Sequence, residues 1–168
     1  MTDRSVGAPP VCRLEPPLWR VYRGVRLAML LDEPQAFGST FAREVQLSDD
    51  EWRARAAGAP TWLAHDAELP VGAVTLFRYP EQAADEACLV AMWVAAHARG
   101  RGVADALVGA LLEHARSVGL RRVTLDVAHA NGRAIGFYER MGFTPTGREG
   151  ALAHDPAVTE LELEHVLA

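Results

Sequence analysis

The sequence has no lysine, and all 17 of its Lys and Arg residues are arginine. This absence excludes a P-loop lysine, a Schiff-base lysine and a lysine general base. Cysteine is also scarce: Cys12 and Cys88 lie far apart and form no C-x-x-C pair. Two such thiols do not make a disulfide framework, and we interpret both as small buried hydrophobic residues.

Long apolar stretches are missing as well. No run approaches the roughly 18 residues that a membrane span needs. The first residues, MTDRSVGAPP, lack the apolar region of a signal peptide. We therefore expect a cytoplasmic protein without a membrane partner. The net charge is −5 and the arginines are scattered, which argues against a nucleic-acid partner.

Length and composition indicate one folded domain. The chain has 168 residues, of which 49% are hydrophobic and 23% charged, as is typical of a globular protein. We predict a flexible tail over residues 1–10 and a single domain over residues 11–168. The helical spacing of apolar residues predicts helices over residues 18–33, 49–57, 104–118 and 131–141. Ser48 and Glu51 form a predicted capping box at the second of these helices.

Strands are indicated by alternating or β-branched runs. They are predicted over residues 11–15, 61–65, 71–79, 87–94, 122–127, 143–148 and 159–167. The run at 87–94 is apolar throughout, so we expect a central strand that is covered on both faces. In the last strand Glu160, Glu162 and Glu164 alternate with apolar residues, and we expect this acidic row to face solvent.

A basic, glycine-containing loop (AAHARGRG, residues 95–102) separates the central strand from the third helix. The first turn of a helix presents unpaired N–H groups and the positive end of the helix dipole, which favour an anion. Gly100 and Gly102 let a phosphate approach the backbone, and Arg99 and Arg101 add positive charge. The loop therefore predicts a phosphate site that continues into Val103 and Ala104.

A dinucleotide is one ligand with such a phosphate. The segment GRGVAD matches G-x-G-x-x-D, one position short of the dinucleotide fingerprint, and Asp126 lies where an acidic residue could bind the ribose. Against this interpretation, Asp105 replaces the third glycine, and the strand begins near the middle of the chain. A dinucleotide-dependent enzyme is kept as an alternative.

Written as Arg99-x-x-Gly102-x-Ala104, the same loop resembles the pyrophosphate loop of the GNAT superfamily of acyl-CoA-dependent N-acyltransferases. The stretch VTLDVAHANGRAIGFYERMGF, residues 123–143, is similar to the second half of that family's fold. Residues 33–52 also look like the acceptor-side helices of many bacterial members. The resemblance implies an α/β (α+β) domain with helices on both faces of a central mixed, mostly antiparallel sheet. It further implies that this sheet is splayed between its fourth and fifth strands.

The resemblance assigns roles to four residues. The pantetheine arm of the cofactor is expected between the splayed strands, paired with the backbone at Trp93 and Val94. The N–H near Val94 is the implied oxyanion donor, while the Trp93 ring is equally compatible with a place in the core. Asn131 is the implied cofactor contact and a predicted N-cap. Tyr138 lies on the same helix face and matches the family's general acid, which protonates the leaving thiolate.

The general base is less well defined by the sequence. Glu86, at the start of the central strand, is the first choice by family resemblance. Glu33, Glu44 and Asp126 are alternatives, and so is a water relay. His97 and His129 lie in loops without the spacing of metal ligands, so we expect no metal.

The resemblance implies an N-acetyltransferase with acetyl-CoA as co-substrate. The acceptor is expected to be a primary amine on a small molecule or peptide, which attacks directly in a ternary complex. Neither cysteine is expected where a covalent nucleophile would be needed. A homodimer is a further expectation. The remaining alternative is a catalytically silent module that binds CoA as a sensor.

Overall fold

The structure is a computed structural model that describes residues 7–168. Within this range the chain forms one sheet of seven strands. The strands are β1 (Val11–Arg13), β2 (Thr61–Asp66), β3 (Leu69–Phe77), β4 (Glu86–Val94), β5 (Arg122–Ala128), β6 (Thr144–Leu152) and β7 (Asp155–Val166). Each predicted strand is present, and the main differences in extent are at β6 and β7, which form a longer hairpin than the sequence pattern indicated.

The sheet has the strand order β1-β2-β3-β4-β5-β7-β6. β4 and β5 run parallel, whereas the other neighbouring pairs are antiparallel. The predicted mixed, mostly antiparallel sheet is therefore confirmed. The dinucleotide alternative is wrong at the level of the fold, because a doubly wound dinucleotide-binding domain is built on a parallel sheet.

Helices cover both faces of this sheet. They are α1 (Trp19–Asp32), α2 (Phe41–Glu44), α3 (Asp49–Gly58), α4 (Val103–Ser117) and α5 (Gly132–Arg140). α4 buries its apolar stripe against β2 and β3. The predicted capping box of α3 is confirmed, since Ser48 Oγ accepts from the Glu51 N–H and the Glu51 carboxylate accepts from the Ser48 N–H.

The splay of the sheet begins inside β4. Residues Glu86 to Cys88 pair with Arg122 to Thr124 of β5, and the two strands part beyond that point. On its other side β4 carries a bulge opposite β3, where Ala91 has a φ of +54°. Such a bulge bends a strand and increases its twist. The prediction that β4 is covered on both faces is wrong for Val90 to Met92, which are only half-buried because they lie along the opening.

Two expectations about the first residues of the chain need correction. Part of the predicted tail is packed, because Pro9 is buried and the Pro10 carbonyl accepts from the His65 N–H at 3.0 Å. The rest of that tail, residues 1–6, lies outside the described residues. Cys12 is exposed, since it lies on the edge strand β1, whereas Cys88 is buried as predicted.

The acidic row on β7 is not a solvated face. Glu160, Glu162 and Glu164 are each half-buried. Arg122, on the neighbouring strand β5, forms ion pairs with Glu162 and Glu164 as well as with Glu86 of β4. The row therefore lies against an arginine that sequence spacing could not place there.

Of the helices in residues 7–168, none is long and apolar enough to cross a bilayer.

Candidate active site

A cleft of about 1280 Å³ opens where β4 and β5 part. Its walls are the second halves of β4 and β5, the segment after α1, the loop before α4 with the start of α4, α5, and the first half of β7. Most of the site residues predicted from the sequence meet there: Trp93, Val94, Arg99, Gly100, Gly102, Val103, Ala104, Asn131 and Tyr138. Arg101 and Glu86 are the two that do not line the cleft.

The loop before α4 ends in a helix N-terminus with open donors. Gly100 and Gly102 have φ values of +75° and +76°, a backbone region that side chains rarely adopt. Gly102 is the N-cap, and within the described chain no side chain caps the helix. The first internal bond runs from the Ala106 N–H to the Gly102 carbonyl, so the N–H groups of the turn before it have no helical partner. This arrangement fits a pyrophosphate group.

The two loop arginines are engaged by carboxylates of the protein. Arg99 donates from Nε to the Val94 carbonyl at 3.0 Å and from Nη2 to Glu33 Oε1 at 2.7 Å. Arg101 donates to Asp66 Oδ2 at 2.7 Å. The sequence had suggested that both guanidinium groups add charge for the ligand. In the structure both guanidinium groups bind protein carboxylates, and the donors left without a helical partner at the start of α4 are backbone N–H groups.

Trp93 lies where the core meets the cleft. Its side chain is buried in the core cluster and also forms part of the cleft wall. The indole Nε1 donates to Asp32 Oδ2 at 2.9 Å, at the end of α1. The ring therefore connects the end of α1 to the strand that borders the cleft.

α5 presents its predicted face to the cleft. Asn131 Oδ1 accepts from the Ala134 N–H at 3.1 Å, which confirms Asn131 as the N-cap. Tyr138 is buried, and its ring packs edge-on against Phe137 and Phe143. Burial raises the pKa of the Tyr138 phenol, so the group stays protonated throughout the neutral range.

A second cavity of about 820 Å³ adjoins the cleft. It lies between the helices α1 to α3 and the sheet face that carries Thr61, Thr75 and Cys88. Both cavities share lining residues on β4, from Leu89 to Ala91, and the carboxylates of Asp126 and Glu160. We call this shared region the junction.

The junction carboxylates have perturbed acidity. Asp126 keeps a solvent-exposed surface, but partial desolvation raises the pKa of its carboxyl, and the neighbouring charge of Glu162 adds to the effect. Burial likewise raises the pKa of Glu160, with a further contribution from Asp126. Asp126 was a candidate base from the sequence, whereas Glu160 was not, because the pairing of β5 with β7 that brings the two residues together spans a long stretch of chain.

The other candidates for the general base lie away from the junction. Glu86 lines neither cavity and pairs with Arg122 at 3.3 Å, because it sits at the end of β4 that remains bonded to β5. Glu33 is at the rim of the cleft, where it binds Arg99. Glu44 lines the second cavity but is held by two arginines.

Cys88 lines the second cavity but not the cleft. The expectation that neither cysteine occupies the position of a covalent nucleophile stays a prediction. Burial raises the pKa of its thiol to about 11. A thiol with this pKa stays protonated near neutral pH, and the thiolate is the nucleophilic form.

In the described chain no three His, Cys, Asp or Glu side chains are grouped to hold a metal ion.

Solved structures of N-acetyltransferases share this fold. A GCN5-related N-acetyltransferase from Kribbella flavida superposes with a TM-score of 0.74 over 95% of this chain and 98% of its own, at 23% identity. A GNAT-family acetyltransferase from Streptococcus pneumoniae gives a TM-score of 0.80 over 95% of this chain and 99% of its own, at 18% identity. At these identities the likeness concerns the fold alone.

Sequence comparison identifies the family. The Acetyltransferase (GNAT) family matches residues 27–143, and the chain belongs to that family. Human (Homo sapiens) N-acetyltransferase 8B is 32% identical over 93 residues, which make up 54% of this chain. The same match covers 41% of the human protein, so the chain spans less than half of that relative's length.

Proposed function

We propose that this chain transfers the acetyl group of acetyl-CoA to a primary amine by direct attack within a ternary complex. One observation supports this most: β4 and β5 part beside a helix N-terminus that no side chain of residues 7–168 caps. The N-terminus of α4 suits a pyrophosphate, and the open edge of β4 beyond Cys88 suits an extended chain of amides. When bound, the thioester supplies an activated acetyl group and a thiolate leaving group.

Binding is assigned to backbone more than to side chains. The N–H groups of Val103 and Ala104 would hold the pyrophosphate, and Trp93 and Val94 would pair with the pantetheine amides. Arg99 and Arg101 keep this loop in place through Glu33 and Asp66. Asn131 borders the same cleft at the start of α5.

The proton released by the amine would pass to the junction carboxylates. Asp126 and Glu160 border both the cleft and the second cavity. An amine held between these two carboxylates would therefore lie next to the cleft in which the acetyl donor binds. A raised pKa brings a carboxylate closer to the range in which it accepts a proton at working pH. Glu86 is not retained as base, because its carboxylate pairs with Arg122 outside both cavities.

The opposite proton transfer is assigned to Tyr138. Its buried phenol is protonated and borders the cleft, so its hydroxyl would donate a proton to the leaving thiolate sulfur. Direct attack is favoured over a covalent enzyme intermediate, since Cys88 does not line the cleft and burial raises the pKa of its thiol to about 11.

Two measurements test the proposal. Isothermal titration with acetyl-CoA should show binding to the wild type and none to Gly102→Glu, whose carboxylate would repel the pyrophosphate. Gly102→Ala imposes the same backbone strain without charge and should keep measurable binding. Thiol release over a panel of amines then separates an enzyme from a module that only binds CoA. No heat of binding with the wild type would refute the cofactor assignment, and binding without thiol release would refute catalysis.

A further inference from the structure

We propose that the acceptor is a zwitterion, a primary amine whose other end carries an anionic group, as in a free α-amino acid. The inference rests on the proposed function and names the acceptor class of the same site. What carries it is the division of charge along the second cavity, with carboxylates at the junction and guanidinium groups at the far end.

The junction end sets the position of the amine. Asp126 and Glu160 line both the second cavity and the cleft that opens between β4 and β5. An ammonium held by these carboxylates is therefore next to the donor side. Any other charged group of the acceptor must extend away from the junction, into the second cavity.

The far end is cationic. Arg26 donates from Nε and Nη2 to both oxygens of Glu44, at 2.9 and 2.8 Å, and Arg55 Nη1 lies 3.1 Å from Glu44 Oε2. Two guanidinium groups thus share one carboxylate. We call these three residues the arginine cluster, and they line the second cavity but not the cleft.

The exposed part of the arginine cluster is its positive part. The side chain of Glu44 is 1% exposed, whereas those of Arg26 and Arg55 are 12% and 37% exposed. All three residues line the cavity, but the guanidinium groups present more surface to it than the carboxylate between them. A guanidinium group binds a carboxylate through two parallel N–H donors. An acceptor with only an amine would leave this positive surface without a partner from the ligand.

Outside the junction and the arginine cluster, the wall of the second cavity is uncharged. Phe77, Cys88 and Leu152 line it and not the cleft, so an uncharged side chain suits this stretch. An amino acid would place its ammonium at the junction, its carboxylate toward Arg55 and its side chain against this wall. Neutral acceptors and peptide N-termini lack the anionic group at the required position.

The test compares acids with their amides. Thiol release from acetyl-CoA is measured with the twenty L-amino acids and with their carboxamides, which keep the amine and remove the carboxylate charge. Three proteins are used: the wild type, Arg55→Gln, and Arg53→Gln as the matched control. Arg53 is on the same helix, pairs with Asp49 and Asp50, and lines neither cavity.

We expect the wild type to prefer an acid over its carboxamide. Arg55→Gln should raise KM for that acid by about tenfold or more, the loss typical of a charge-assisted hydrogen bond, with little change in kcat. KM for the carboxamide should stay the same, and Arg53→Gln should change neither value. Glu44 keeps both bonds from Arg26 in the variant, so Arg55→Gln should remain folded.

Several results would overturn the inference. These are equal or better turnover of the carboxamides, an equal effect of Arg55→Gln on acids and amides, or acceptance of none of the acids. Acetyl-CoA binding, measured by calorimetry on the same samples, reports on the proposed function separately. If acetyl-CoA binds and an amine or amidated peptide without an anionic group is the best acceptor, the zwitterion assignment fails while the proposed function stands.

Discussion

Neutralising Glu44 should destabilise the fold far more than neutralising a surface carboxylate. Glu44→Gln keeps the shape of a side chain that is 1% exposed, but it removes the charge opposite Arg26, which is 12% exposed. Removing one partner of a buried ion pair costs about 3–5 kcal/mol, because the other charge loses its compensation. The glutamine amide still offers Arg26 one acceptor, so we expect a loss of about 3 kcal/mol. For a domain of this size that corresponds to a fall in Tm of roughly 6–12 °C.

The same pair predicts how stability depends on pH. Burial by itself would raise the pKa of Glu44, but the hydrogen bonds and charge of Arg26, with help from Arg55, outweigh it and lower the pKa below the ordinary 4.5. A carboxyl with a lowered folded-state pKa contributes stability that is fully present above its unfolded value. This contribution is lost as the pH falls from about 4.5 through the folded-state pKa. The difference between wild type and Glu44→Gln should therefore shrink on acidification.

Urea unfolding followed by circular dichroism measures both effects. Asp50→Asn is the matched control, since Asp50 is 92% exposed and pairs with Arg53 on the surface. That change should alter the free energy of unfolding by less than about 1 kcal/mol. A Glu44→Gln protein as stable as the Asp50→Asn protein at pH 7 would refute the reasoning, and so would a difference from wild type that grows as the pH falls.

Three other substitutions probe the cleft and its support. Tyr138→Phe should lower the single-turnover rate about 100-fold with a nearly unchanged Tm; a wild-type rate would mean that the proton comes from elsewhere. Asp126→Asn should lower thiol release at neutral pH, and the wild-type rate should decline as acid protonates Asp126, whose pKa partial desolvation raises. Gly72→Ala would place a Cβ 2.9 Å from Leu107 Cδ1. Thermal unfolding should show a loss of about 1–3 kcal/mol there, whereas Gly24→Ala, with open space around it, should lose nothing.

The elements that the sequence predicted well are those with local signals. The apolar stripe of α4, the Ser48 capping box and the alternation in β7 each depend on residues a few positions apart. The glycines of the loop before α4 were also legible, because Gly100 and Gly102 need a positive φ that few other residues adopt.

The charge partners were not predictable in this way. Arg99 binds Glu33, which is 66 positions away, and the register of β5 with β7 sets Asp126 opposite Glu162. Such pairs follow from topology, which a single sequence does not report. The same limit applies to Glu86. The sequence pattern correctly predicts that Glu86 lies on β4. Which end of β4 opens into the cleft depends on where β5 separates from it, and the sequence does not report that point.

The bonds of Arg99 link the loop before α4 to the end of α1, so we expect the two segments to become ordered together. This side chain binds the Val94 carbonyl beside the cleft and Asp32 and Glu33 at the end of α1, while Trp93 binds Asp32 as well. A ligand that orders the loop before α4 therefore also orders the segment that borders the second cavity. The second ligand then loses less conformational entropy on binding, and linkage requires the gain to be reciprocal. Donor and acceptor should each bind more tightly in the presence of the other, and Arg99→Gln should remove that synergy.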